Sequence, residues 1–238
     1  MVFTDAPAAT SANAPLNPES LGVVSAEGSV AEILRRRILS GRLGVGARLR
    51  QTDIAQELGV STTPVREALR SLTAEGLLEI DTNRGAVIRK LSDDELVEVL
   101  ELQVLIETAS LRTSVPLMTE AALTQAEFLH RRMIDSVDGV EWALLNRDFH
   151  LTLAAPSGRA RTQRALRELL NVSTIQLRQD IEDWEGRRSQ GERDHARFIE
   201  IARAGDVEAA VELIEAHTGA AIRHRLEMRD SAAATPAL

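Results

Sequence analysis

The residues best suited to chemistry in this sequence form a cluster of hydrogen-bond donors around position 65. Three hydroxyl side chains, Ser61, Thr62 and Thr63, lie at the predicted start of a helix. Free backbone N–H groups and hydroxyls at a helix N-terminus can donate to phosphate oxygens or base edges. Arg66 and Arg70 are four residues apart and therefore share one face of that helix. Because arginine can bind a guanine edge through two hydrogen bonds, the cluster predicts a helix that reads double-stranded DNA.

The helices needed to hold such a recognition helix are also predicted. Apolar residues with the spacing of one helix face run from Val30 to Ile38, and a second, short helix ends at Gly59. Gly59 can take the left-handed conformation of a tight turn, after which Ser61 caps the third helix. The apolar stripe of this third helix is Val65, Ala68, Leu69 and Leu72. The stripe lies opposite the arginines, which leaves them free to face outward.

A wing is predicted directly after the third helix. The short apolar pieces 77–80 and 86–89 flank a turn-like segment, which is typical of a β-hairpin. Three helices followed by a two-stranded wing make a winged helix-turn-helix. We assign Arg84, at the tip of the wing, and Arg50 to the DNA contacts as well.

Charge is distributed unevenly along the chain. The 238 residues have a formal net charge of −8, which at first argues against nucleic acid, since phosphate attraction supplies most non-specific affinity. Residues 29–91, however, contain 11 Lys and Arg against 7 Asp and Glu, a balance of +4, so the remainder carries −12. The basic excess coincides with the predicted winged helix-turn-helix. This favours DNA binding over the alternative that the arginines form only a solvated helix face.

Past Leu91 the pattern changes to long amphipathic helices. Ser92 followed by three acidic residues predicts a capped helix start. Breaks divide the rest into six helices, at Pro116, 138–139, 156–158, 185–186 and 205–206. Only 3% of residues are aromatic and Tyr is absent, which favours helices over strands. We expect a mainly α fold with a winged helix-turn-helix domain at 29–91, an all-α helical bundle for effector binding and dimerisation at 92–230, and disordered tails at 1–28 and 231–238.

Several classes of protein are excluded by composition. The sequence has no run of about 18 apolar residues, so no membrane span is predicted, and residues 1–27 lack the basic start and apolar block of a signal peptide. Cysteine is absent, which excludes disulfides and thiolate metal ligands and fits a reducing compartment. We therefore expect a cytoplasmic protein with no membrane partner.

The predicted DNA-reading region resembles the signature of the GntR family of bacterial regulators. The resemblance runs from Leu58 through Arg70 and continues at Leu72, at 75–77 and at Arg84-Gly85. Where such regulators usually have an arginine that often touches a base, this chain has Thr62. The resemblance therefore implies a DNA-binding regulator without implying its operator sequence.

The back half resembles the FadR-type C-terminal domain, known as the FCD domain. The resemblance lies in residues 146–150 (Asn-Arg-Asp-Phe-His), in Asp194-His195 and in the segment that leads from Gly205-Asp206 to Ala216-His217. It implies that His150, His195 and His217 bind a divalent metal ion. In that family an Asp four residues before the first histidine helps to hold the ion, and this chain has Asn146 there.

The spacing of these residues gives partial independent support for a metal site. Asn146 and His150 are one helix turn apart, while His195 and His217 fall on two later helices that can converge in a bundle core. Three neutral imidazoles suit Zn²⁺ or Ni²⁺ and leave coordination positions open for water or a carboxylate. Asn146 is a weaker ligand than Asp, and Asp148 points to a different helix face. The alternative is that each histidine is a buried, hydrogen-bonded core residue.

The resemblance also implies a small carboxylate effector, bound with the help of an arginine in the first helix of the domain. This chain has Gln103 at the matching position, so a full cationic clamp is not predicted. We assign effector contacts to Gln103, to Arg178 and to His224, with an ordinary helix surface as the alternative. His130, beside Arg131 and Arg132, is interpreted as part of a solvated face.

These features predict a homodimeric repressor that places two recognition helices in successive major grooves of an operator. A carboxylate bound at the metal would change its affinity for DNA. One alternative is a metal-responsive regulator with no organic effector. The other is a small helical metalloenzyme that activates water, which we do not favour because the sequence indicates no general base beside the histidines.

Overall fold

The computed structural model describes residues 26–81, 85–183 and 186–234. Within these ranges the predicted mainly α fold is confirmed, with a small sheet in the front third and helices elsewhere. Residues 1–25 and 235–238, which make up most of the tails predicted at 1–28 and 231–238, lie outside the described residues, as does Arg84 at the predicted wing tip.

The front third contains three helices that follow the predicted order. They are α1 (Ala26–Leu39), α2 (Gln51–Leu58) and α3 (Thr62–Ala74). α1 begins three residues before the predicted domain boundary at 29. Gly59, between α2 and α3, has φ of +66°, the left-handed conformation that the tight turn was predicted to need.

Three short strands complete this part of the molecule. β1 (Arg48–Leu49), β2 (Leu78–Asp81) and β3 (Gly85–Ile88) form one antiparallel sheet in the order β1-β3-β2. The pair β2–β3 is the predicted hairpin, with Glu79 opposite Val87. β1 is missing from the sequence prediction, because two residues are too few to show the alternation that identifies a strand.

An apolar core joins these helices and strands. The predicted α3 stripe of Val65, Ala68, Leu69 and Leu72 is fully buried. It packs with Leu34 of α1 and Ile88 of β3. Burial of side chains of the size of Val or Leu stabilises the fold by about 1.5–3 kcal/mol each, so the stripe fixes which face of α3 points outward. Ile175, from a helix of the back half, belongs to the same cluster.

The described back half consists of the six predicted helices. They are α4 (Asp93–Ser114), α5 (Glu120–Asp135), α6 (Gly139–Ala154), α7 (Ala160–Asp183), α8 (Arg187–Ala204) and α9 (Val207–Ala234). α4 starts with the predicted cap: Ser92 Oγ accepts the Glu95 N–H at 3.3 Å, and the Glu95 carboxylate accepts the Ser92 N–H at 2.8 Å. α9 continues into the region that was predicted as a tail from residue 231.

A second apolar core lies inside this helical bundle. Its largest buried side chains are Met133, Trp142, Phe149 and Phe198, from α5, α6 and α8. α4 packs against α7 and α9, while α5 packs against α6 and α8. Among the described helices, none combines the length and the apolar character that a membrane span requires.

Candidate functional site

The outward face of α3 carries the predicted donors. Ser61, Thr62, Thr63, Arg66 and Arg70 are all exposed, directly opposite the buried stripe. Ser61 is the N-cap residue of α3 by its backbone, but its hydroxyl makes no capping hydrogen bond. The structure therefore places the five predicted side chains where a duplex could reach them.

Glu67 lies between the two arginines and holds them close to the helix. Arg66 Nε donates to Glu67 Oε1 at 3.3 Å, and Arg70 Nη1 donates to the same oxygen at 3.1 Å. The hydrogen bond from Arg66, together with the charge of Arg70, lowers the pKa of Glu67. Exposed ion pairs of this kind contribute little to stability, so both guanidiniums can leave Glu67 for a phosphate or a base at little cost.

The two remaining predicted DNA contacts have different outcomes. Arg50 is exposed. It lies between β1 and α2 and has the extended backbone of an N-cap residue. Arg84 lies outside the described residues.

The three predicted metal-ligating histidines meet in the core of the bundle. His150 comes from α6, His195 from α8 and His217 from α9, and all three are buried. Each offers one ring nitrogen, and these three atoms lie within 4.8 Å of one another. A divalent ion binds imidazole nitrogens at about 2.0–2.1 Å, so the three atoms are close enough that movements of the side chains could bring them onto one ion.

Two buried or nearly buried carboxylates stand behind this histidine cluster. Asp194 Oδ2 lies 2.8 Å from His217 Nδ1. Glu107 Oε1, from α4, lies 2.7 Å from His150 Nδ1. Carboxylates in such positions orient a histidine and leave its Nε2 for an ion. The sequence indicated no general base beside the histidines. Glu107 and Asp194 face the Nδ1 side of two of the rings and serve to position them.

Glu107 is ionised despite its burial. Burial by itself raises the pKa of a carboxyl, but the attraction of His150 and the hydrogen bonds from His150 and Gln103 outweigh it, and the pKa of Glu107 lies below its usual value. Gln103 Nε2 donates to Glu107 Oε2 at 3.0 Å. A fixed negative charge therefore lies next to the histidine cluster.

Asn146 is the residue predicted to assist the three histidines in holding an ion. It is buried on α6, one turn before His150, and its Oδ1 has no hydrogen-bond partner among the described residues. A buried carbonyl oxygen without a partner costs about 1–3 kcal/mol. A bound ion, or a water on that ion, would remove this cost, so the residues present fit a divalent metal.

The structure describes the three predicted effector residues to different extents. Gln103 is buried, and Ser173 Oγ from α7 donates to its Oε1 at 3.0 Å, which excludes the alternative of an ordinary helix surface for this residue. His224 is half-buried on α9 and is not one of the three histidines that could share an ion. Arg178 belongs to α7, but its side chain lies outside the described part of the structure.

His130, interpreted from the sequence as part of a solvated face, is half-buried. Its ring packs edge-on against His195, with centroids 6.3 Å apart, and its Nδ1 is buried. Burial lowers the pKa of His130. Neighbouring residues on a helix point about 100° apart, so the arginines at 131 and 132 carried no information about position 130.

α7 connects the histidine cluster with the end of α3. Ser173 contacts Gln103, as described above, and Asn171 Nδ2 donates to the backbone oxygen of Glu75, which caps the C-terminus of α3, at 3.2 Å. Gly76 follows, and a Cβ atom there would lie 2.8 Å from Glu168 Cγ and 3.3 Å from Val172 Cγ2. Glycine, which has no Cβ atom, therefore lets the two units touch at this close approach.

Comparisons with known proteins agree with this geometry. The family model described as bacterial regulatory proteins, gntR family, matches residues 26–88, and the FCD domain model matches residues 98–220. An uncharacterised HTH-type transcriptional regulator, YdhC, of Bacillus subtilis is 28% identical over 191 residues, 77% of this chain and 84% of that protein.

Of two further relatives, one matches the front third of the chain and the other matches most of its length. The gluconate operon transcriptional repressor of Bacillus subtilis is 39% identical over 79 residues, 33% of this chain and 32% of that repressor, so the match spans about a third of either protein. The crystal structure of a GntR-family transcriptional regulator from Pseudomonas syringae pv. tomato is 31% identical, with a TM-score of 0.53 over 87% of this chain and 88% of that one. The chain belongs to the GntR family of bacterial regulatory proteins and carries an FCD domain, which makes it a DNA-binding transcriptional regulator and not an enzyme.

Proposed function

We propose that this regulator is a homodimeric repressor whose affinity for its operator is controlled at the histidine cluster of its helical domain. The observation that carries the DNA-binding part is the outward face of α3. It presents three hydroxyls and two guanidiniums while the opposite face is buried. Repression is proposed because relatives with a similar front third, such as the gluconate operon repressor, are named repressors.

The metal part of the proposal rests on the chemistry of the cluster. His150, His195 and His217 would bind a divalent ion, with Asn146 as a weak fourth ligand or as the partner of a bound water. Zn²⁺ and Ni²⁺ suit imidazole ligands, and either would supply a positive charge with coordination positions open to a carboxylate. Glu107 and Asp194 would orient two of the three rings.

The contacts of α7 support control of DNA binding from this cluster. A chain of side chains leads from His150 through Glu107 and Gln103 to Ser173 on α7. Two residues earlier on the same helix, Asn171 bonds the C-terminus of α3. A change in the cluster that shifts α7 would therefore shift the recognition helix. A ligand can change the affinity only to the extent that it binds the two arrangements differently.

We infer that the organic effector is a small carboxylate that completes the coordination of the ion, with charge supplied by Arg178. A second candidate is regulation by the metal alone. The contacts of Gln103 favour this second candidate. Its amide already makes hydrogen bonds with Glu107 and Ser173, and the carboxylate of Glu107 beside it would repel a carboxylate effector. Adding short organic acids to metal-loaded protein separates the two: a change in operator affinity beyond that caused by the metal supports the carboxylate.

The DNA-binding part is tested by selecting bound duplexes from a random pool and measuring their affinity for variants. Arg66→Ala and Arg70→Ala should each weaken binding by about 1–3 kcal/mol, roughly tenfold or more, because each removes a contact to a base or phosphate. Arg203→Ala is the matched control, since Arg203 is an exposed arginine on α8. If both α3 variants bind the selected duplex as tightly as the control does, the DNA-binding face is assigned to the wrong residues.

A further inference from the structure

A cavity of about 340 Å³ lies where the winged helix-turn-helix meets the helical domain. We call it the junction cavity. Three parts of the chain line it: the connector between α1 and β1, the linker from β3 to the start of α4, and the middle of α7. Sites for small molecules in proteins have volumes of about 300–1,000 Å³, so this cavity is large enough for a small organic ligand.

The walls of the junction cavity are aliphatic. Val172 and Ile175 are both buried and, being three residues apart on α7, lie on one side of that helix. Val45 from the connector and Leu91 from the linker are half-buried and add apolar surface. None of the described residues that line the cavity is aromatic. The walls therefore suit a hydrocarbon chain and offer no aromatic partner to a stacked ring.

Two cations line the same cavity. Arg89 is half-buried and Lys90 is exposed, and neither makes an ion pair or a side-chain hydrogen bond with another described residue. Hydrogen bonds from Ser92 lower the pKa of Glu95, and the charge of Arg89 lowers it further. The Glu95 carboxylate already accepts the N–H and the hydroxyl of Ser92, so it belongs to the cap of α4. Both cations are therefore available to an anion.

The one acid among the described lining residues is already paired. Asp93 Oδ1, at the first residue of α4, lies 3.4 Å from Arg225 Nη1 of α9. An organic anion in the junction cavity would thus meet two cations whose charge no neighbouring acid has taken up. At the histidine cluster it would meet the ionised carboxylate of Glu107. The junction cavity is therefore the better place for an organic anion.

We propose that the junction cavity binds a short aliphatic carboxylic acid, such as hexanoate, with its carboxylate on Arg89 and Lys90 and its chain against the aliphatic walls. Arginine can bind a carboxylate through two parallel charge-assisted hydrogen bonds, which would fix the orientation of the acid. Hexanoate has roughly eight non-hydrogen atoms, and at about 30 Å³ for each water-sized group it needs roughly 240 Å³, which the cavity provides. The site needs neither the histidine cluster nor an ion, so the inference goes beyond the proposed function.

An acid bound in the junction cavity would act on the contact between the two units. Val172 lines the cavity, and its Cγ2 lies 3.3 Å from the position of a Cβ atom on Gly76, just after the end of α3. The two cations lie in the linker that joins β3 to α4. A ligand held by both α7 and the linker would favour one placement of α3 relative to the helical domain. The operator affinity would then change by the ratio of the ligand's affinities for the two placements.

The test is calorimetric titration of hexanoate into the metal-stripped full chain, with acetate and hexanol as the comparison probes. Hexanoate should bind with one molecule per chain. Acetate should bind at least about tenfold more weakly, because it lacks the hydrocarbon that the walls would bury. Hexanol should also bind about tenfold or more weakly, because it lacks the charge that the two cations would bind. Hexanoate should in addition change the affinity of the same protein for a selected duplex.

Variants of the two cations locate the site. Arg89→Gln and Lys90→Gln should each weaken the binding of hexanoate, by about tenfold or more for Arg89→Gln, because a charge-assisted pair is lost. Arg42→Gln is the matched control, since Arg42 is exposed in the connector and does not line the cavity. His195→Ala should bind hexanoate as the unaltered protein does, because the histidine cluster is not part of this site.

The inference is overturned if hexanoate does not bind, or if the double variant Arg89→Gln/Lys90→Gln binds it as tightly as the unaltered protein while its helical circular dichroism is normal. It is also overturned if these variants lose affinity for DNA but not for hexanoate, which would assign the cations to phosphate groups. A protein that binds hexanoate as described but selects no duplex overturns the proposed function and leaves the inference standing. A protein whose operator binding responds to metal but that does not bind hexanoate has the reverse outcome.

Discussion

At the scale of single residues, the strength of the proposed metal site depends on Asn146. Its neutral amide stands one turn from His150, where a carboxylate would bind an ion more strongly. The chain partly compensates with Glu107 and Asp194, which act on the ion only through histidine rings. We therefore expect a metal site that binds reversibly and not one that keeps its ion permanently.

Asn146→Asp should raise the affinity for Zn²⁺ or Ni²⁺ by about tenfold or more, because an anionic ligand replaces a neutral one. The measurement is competition for the ion against a chelating dye, with metal-stripped protein. Asp148→Asn is the control. Asp148 is paired with Arg147, so this variant removes a carboxylate two residues from His150 that is not a predicted ligand. Equal affinities of the Asn146→Asp variant and the unaltered protein would contradict a role for position 146 at the ion.

The sequence predicts the histidine cluster better than the residues that support it. His150, His195 and His217 were identified by resemblance and by helix spacing, and the structure brings them together. Glu107 was not identified, because it lies on another helix and only packing brings it to His150. Helix periodicity indicates which face a residue is on, but not which side chain on a distant helix it will contact.

At the scale of secondary-structure elements, the two units of the chain are in close contact where the end of α3 meets α7. Local signals predicted α3 well: its stripe, its glycine turn and the capped start of α4 depend on residues a few positions apart. The contact of Asn171 with Glu75 joins positions 96 residues apart, which no local pattern reveals.

Gly76→Ala should lower the free energy of unfolding by about 1–2 kcal/mol, because Gly76 has φ of +75° and side chains are strained there. The added methyl group would also push against Glu168 and Val172, so hydrogen exchange in α7 should increase. Gly59→Ala is the matched control: it carries the same strain at φ of +66°, but no atom lies within 4 Å of its Cβ position. If both variants leave exchange in α7 unchanged, the contact does not couple the two units.

At the scale of the whole molecule, the DNA-binding part and the helical part of the chain carry opposite net charges. Residues 29–91 hold the basic excess, while the remainder of the chain is acidic. The acidic helical domain is therefore repelled by DNA, which leaves α3 and its neighbours as the surface that a duplex can approach. In the proposed function, control would pass from the acidic part to the basic part through contacts such as those of α7.

The most direct test of this account is the operator affinity of metal-stripped protein as Zn²⁺ or Ni²⁺ is added. We expect the dissociation constant for a selected duplex to change by about 5–150-fold, the usual range of coupling between two sites, and the duplex to change the metal affinity by the same factor. His195→Ala should bind the duplex without responding to metal, whereas His224→Ala should respond as the unaltered protein does. An operator affinity that is the same with and without the ion, in protein shown to bind that ion, would contradict control from the histidine cluster.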